Sequence, residues 1–125
     1  MWQGLNHRKF PRTVVACDVF VKDKKNSYAI STVTSNMSLG GVCVMIGKEL
    51  KKFERVSLKL LLDERRTIEC LGRVVWCIPA RIFGRQTRTY DTGIEFVNLS
   101  TAAGEHIEQY LKAQDRIREK EKAPR

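Results

Sequence analysis

The chain has 125 residues, 42% hydrophobic and 30% charged, a length and balance that suit one soluble globular domain with a single core. It has no apolar run long enough to span a membrane, and residues 1–6 lack the apolar stretch of a signal peptide, so a cytoplasmic location is expected. A net charge of +9 favours polyanions (nucleic acid, an anionic membrane surface or a phosphorylated small molecule) without choosing among them.

Residues 1–12 show no period and carry His7, Arg8, Lys9 and Arg12. Pro11 biases Phe10 toward extended backbone, and the segment reads as a flexible basic arm. A valine-rich strand is predicted over 13–22, followed by a polar turn. Residues 28–35 form a second strand, with Tyr28, Ile30, Thr32 and Thr34 on one face. Residues 36–41 have turn chemistry, small and polar enough to tolerate positive φ, and 41–46 resume as a strand. Val56, Leu58, Leu60 and Leu62 alternate with a period of two, and residues 63–66 turn the chain. The strand over 67–78 places Ile68, Cys70, Val74, Trp76 and Ile78 on one face, with Gly72 marking a bulge or bend. Pro79 is expected to end it, leaving 80–89 as a basic loop before a last strand over 90–97. From Ser100 or Thr101, residues Ala103, Ile107, Tyr110, Leu111 and Gln114 follow helical spacing, and the apolar face fades beyond Ile117. Six short strands and one helix predict an all-β antiparallel barrel or sandwich, its helix covering an open end or side.

Cys17, Cys43, Cys70 and Cys77 lack C-x-x-C spacing and lie in apolar runs, so they read as free core thiols and not metal ligands. The only histidines are His7 and His106, and no nucleophile-elbow, zinc-protease or phosphate-loop pattern appears, which argues against an enzyme. Arg8 and Arg12 form an R-x-x-x-R pair. A guanidinium can stack on a purine, fork onto its O6 and N7 edge, or grip a phosphate with two hydrogen bonds. The same spacing recurs at Arg81 and Arg85 and reads there as incidental. Asn36 offers a carbonyl oxygen to a guanine N–H, Ser38 a hydroxyl, and Gly40 and Gly41 a backbone that bends and admits close approach. A β-turn with no ligand fits that stretch as well.

Arg8-Lys9-Phe10-Pro11-Arg12, one hairpin, then Asn36-Met37-Ser38-Leu39-Gly40-Gly41 is an arrangement that resembles PilZ domains, the bacterial receptors for cyclic di-GMP. Gly72-Arg73-Val74-Val75-Trp76 and Tyr90-Asp91-Thr92-Gly93-Ile94-Glu95-Phe96 resemble the family's later strands. The resemblance implies a six-stranded antiparallel PilZ-type β-barrel with a C-terminal α-helix. It divides the chain into a switch arm (1–12), a barrel plus helix (13–117) and a charged tail (118–125). It implies that Arg8 and Arg12 contact guanine and phosphate, that Asn36 reads a guanine, and that Ser38 and Gly41 complete the pocket, with His7, Lys9 and Gly40 as accessories. The ligand would be cyclic di-GMP, with no metal or other cofactor. Binding would order the arm and signal to an unidentified effector protein, since no output domain is visible in the sequence. Two alternatives stand: a PilZ-like interaction module that binds no nucleotide, and a basic barrel for single-stranded nucleic acid. The second is disfavoured because Phe10, Tyr28, Phe83 and Tyr90 do not cluster on one strand as a stacking platform.

Overall fold

The computed structural model describes residues 11–23 and 29–122. Its elements are β1 (Asp18–Asp23), β2 (Ile30–Met37), β3 (Gly41–Ile46), β4 (Arg55–Leu61), β5 (Thr67–Ile82), β6 (Arg85–Val97) and α1 (Thr101–Lys122). All neighbours are antiparallel, and the sheet closes in the order β1-β2-β3-β6-β5-β4. The barrel is thus two three-stranded meanders, β1–β3 and β4–β6, joined along two seams. One seam runs from Gly41↔Glu95 to Ile46↔Tyr90 and the other from Asp18↔Leu61 to Asp23↔Val56.

Alternation drives the closure. In β4, Val56, Leu58 and Leu60 are buried while Arg55, Ser57 and Lys59 face solvent. Val19, Val21, Val42, Val44, Val74 and Ile94 fill the same interior, each contributing roughly 1.5–3 kcal/mol on burial. Ala103, Ile107 and Leu111, four residues apart, lay one stripe of α1 against that core. Ser100 starts the helix, its Oγ accepting the Ala103 N–H at 3.1 Å. The Cys17 thiol donates to Leu61 O at 3.4 Å, Tyr110 packs against the core, and Arg66 donates to Gln109 Oε1 at 3.0 Å. The helix therefore covers the barrel end where β1 begins and β4 finishes.

Several boundaries differ from the sequence expectation. The first strand begins at Asp18 rather than 13, and Thr13 instead forms an isolated bridge with Met37. β2 runs on to Met37 through a bulge between Thr34 and Asn36, so Asn36 lies on a strand and not in a turn. In β5 the bulge falls between Val74 and Trp76 rather than at Gly72. The added residue turns Trp76 and Ile78 outward and Cys77 inward, where its sulfur meets Thr92 Oγ1 at 3.4 Å. Pro79 does not end the strand. It sits at a second register shift, between Pro79 and Arg81, where a missing N–H is tolerated. The stretch 80–89, expected as a basic loop, is the far end of the β5–β6 hairpin, closed by Phe83 and Gly84. α1 continues to Lys122, so most of the expected tail is helical. Among the described residues no helix is long and apolar enough to cross a membrane.

Candidate functional site

The candidate site lies on the outer face of the barrel. Thr13 N–H donates to Met37 O at 2.8 Å and Met37 N–H returns to Thr13 O at 2.9 Å. One step along that antiparallel register sets Arg12 across from Ser38. The Arg12 guanidinium lies over the Trp76 ring, 5.4 Å from its centroid. Trp76 belongs to a row across four strands, Asn36↔Cys43↔Gly93↔Trp76, whose side chains share the outer face. The indole rests flat on Gly93, where a Cβ would come within 2.5 Å of three ring carbons. Its Nε1–H points to Asp91 Oδ1 at 3.4 Å.

Asn36 Oδ1 is buried and has no hydrogen-bond partner among the described residues. Beside it, Ser38 is buried and its Oγ accepts the Gly40 N–H at 3.0 Å. Ser38 N–H donates to Gly41 O at 2.9 Å, and Gly40 O accepts the Phe96 N–H at 2.8 Å. The loop is therefore held from both sides. Neither Gly40 nor Gly41 has the positive φ that the sequence suggested. Gly41 is needed for close approach instead: a Cβ there would lie 2.2 Å from Ile94 O.

The structure thus brings Arg12, Asn36, Ser38, Gly40 and Gly41 together, while His7, Arg8 and Lys9 lie outside the described residues. Sequence reasoning missed Trp76 and Gly93 as parts of the site. The signal was the bulge before Trp76, which moves the ring from the core to the face. Among the described residues no cluster of histidine, cysteine, aspartate or glutamate could hold a metal ion.

The PilZ domain family matches this chain over residues 6–113. The chain belongs to that family. Its fold is similar to the PilZ domain of YcgR from Escherichia coli, solved with c-di-GMP (TM-score 0.75, 12% identity, 92% of this chain and 96% of that one). It is also similar to the K. pneumonia MrkH-c-di-GMP complex (TM-score 0.76, 20% identity, 92% and 55%). A third likeness is to the Bacillus subtilis inhibitor of motility MotI/DgrA (TM-score 0.72, 21% identity, 87% and 51%). The chain spans about half the length of MrkH and of MotI/DgrA. A search of curated protein sequences returns no match.

In this PilZ domain the outer face combines a cation, an aromatic plane and a buried acceptor. Glu95, opposite Gly41, is held by Arg73, whose Nε donates to Glu95 Oε1 at 2.6 Å. That pairing removes one negative charge that would repel an anion. On the far side of Trp76 a groove of about 730 Å³ runs past Ile78 to Glu49, Lys51 and Lys52, two cations against one carboxylate. Such a surface suits a planar heterocycle carrying phosphate.

Proposed function

We propose that this PilZ domain is a cytoplasmic receptor for cyclic di-GMP that signals to a partner protein, and not an enzyme. The observation that carries the reading is Asn36 Oδ1, a buried acceptor with no donor among the described residues, in the same outer-face row as the Trp76 ring that Arg12 covers. A guanine N1–H or N2–H supplies that donor. Arg12, across from Ser38, engages a guanine face or a ligand phosphate, and Arg8 is its proposed companion. The Ser38 hydroxyl and the Gly40–Gly41 backbone complete the contact. The c-di-GMP complexes of YcgR and MrkH support the choice of ligand.

Calorimetric titration with cyclic di-GMP, with GTP and GMP as controls, tests this directly. A charge-assisted hydrogen bond contributes about 1.5–3 kcal/mol. Arg12→Ala should therefore weaken binding by at least about tenfold. Selective binding that Arg12→Ala weakens supports the receptor. A folded protein that binds no cyclic di-GMP is an interaction module instead.

A further inference from the structure

One element leaves the barrel. β3 stops at Ile46, opposite Tyr90. Beyond that pair, among the described residues, β5 and β6 hydrogen-bond only to each other, as a two-stranded ribbon ending at Ile82↔Arg85. At its tip Phe83 is 100% exposed and Ile82 60%. Phe83 and Gly84 have φ of 52° and 77°, the pair of left-handed residues that a two-residue hairpin loop requires. Asparagine, aspartate or glycine normally takes the first of these positions. A bulky aromatic there is strained and, fully exposed, gains no packing in return. Turn chemistry and core packing both leave Phe83 unexplained, and such an outlier points to function.

The charges around the tip suggest what Phe83 meets. Arg81, Arg85 and Arg88 are exposed, and residues 79–90 contain no carboxylate. None of the three arginines forms an ion pair among the described residues. Arg85, opposite Ile82, lies on one face of the ribbon, while Arg81, opposite Gln86, lies on the other. Cations therefore flank an apolar tip on both sides. A protein groove would meet one face of a ribbon, and single-stranded nucleic acid would need a row of aromatic platforms. A lipid interface presents the matching layers, anionic headgroups above hydrocarbon. At roughly 3.3 Å per residue the arginines nearest the tip stand within the 5–10 Å depth of interfacial insertion.

We infer that the β5–β6 hairpin docks tip-first on an anionic lipid bilayer surface, with Ile82 and Phe83 entering the headgroup boundary and Arg81, Arg85 and Arg88 engaging the headgroups. The test is flotation of the full chain, without nucleotide, with phosphatidylcholine vesicles lacking or containing phosphatidylglycerol. Binding should require phosphatidylglycerol and weaken with salt. A cation at an anionic surface contributes about a fivefold gain in partition, so R81Q/R85Q/R88Q should lower it by about two decades. The charge-matched helix variant K112Q/R116Q/K120Q should keep most of it. Phe83→Asn suits the left-handed turn better, so it should melt no lower than the parent yet partition about tenfold less. Failure to float, equal loss in the helix variant, or undiminished binding by Phe83→Asn each overturns the inference. So does a preference for an oligonucleotide or an acidic peptide added in competition.

Discussion

Asn36→Ala should move stability and binding in opposite directions. Asn36 Oδ1 is enclosed with no hydrogen-bond partner among the described residues. A buried unmade hydrogen bond costs about 1–3 kcal/mol. Alanine removes that oxygen, and with it a few side-chain contacts that offset part of the gain. The net expectation without ligand is a stabilisation of about 1 kcal/mol, or a melting temperature higher by about 3–5 °C for a domain of this size. With cyclic di-GMP the same change strands a guanine N–H, and affinity should fall by roughly five- to 150-fold. Thermal melting with and without cyclic di-GMP, alongside calorimetric titration, reads both effects on one variant. A variant that melts lower while binding the nucleotide unchanged would refute the reasoning, because Asn36 would then serve the fold and not the ligand.

Gly41→Ala sets a Cβ against Ile94 O, a backbone atom that cannot swing aside, so urea titration should show a loss of about 3 kcal/mol. Gly93→Ala lifts the Trp76 ring from its seat, so near-ultraviolet circular dichroism should change and cyclic di-GMP affinity should fall about tenfold as the Arg12 stack is lost. Burial, with Asp18 nearby, pushes the Cys17 thiol up to about 11, and burial does the same to Cys70. Tyr110 rises to about 12, chiefly through burial and then through its Cys17 neighbour. These groups stay protonated in the fold after they ionise in the unfolded chain. The stability they contribute is therefore intact below about pH 9 and lost progressively up to about pH 12. Urea midpoints across that range should fall, and Cys17→Ala/Cys70→Ala should flatten the slope.

The period-two stretches were legible because each alternation maps onto one wall of the barrel, as in β4. The helix was legible through Ser100 and the four-residue spacing of Ala103, Ile107 and Leu111. What sequence reading misplaced lies at register shifts. A bulge leaves composition unchanged, yet it reverses which face every later side chain takes. The bulge before Asn36 set that residue on a strand, and the bulge before Trp76 moved the indole to the outer face. Pro79 misled for a related reason, since an irregular position in the sheet accepts a residue without an N–H. The turn at Phe83-Gly84 escaped notice because asparagine, and not phenylalanine, is the usual mark of such a loop.

The two-meander construction bears on how the molecule folds and lets go. Four of the six strand pairings join sequence neighbours, but the seams do not: Gly41 must find Glu95, and Asp18 must find Leu61. Such distant pairings form late and slowly, because loop entropy is lost before they reward it. The row from Asn36 through Cys43 to Gly93 and Trp76 crosses the first of these seams. A nucleotide seated there would rivet one half of the chain to the other. Its main kinetic effect would be to slow separation of the halves, making the lifetime of the closed barrel a readout of messenger concentration.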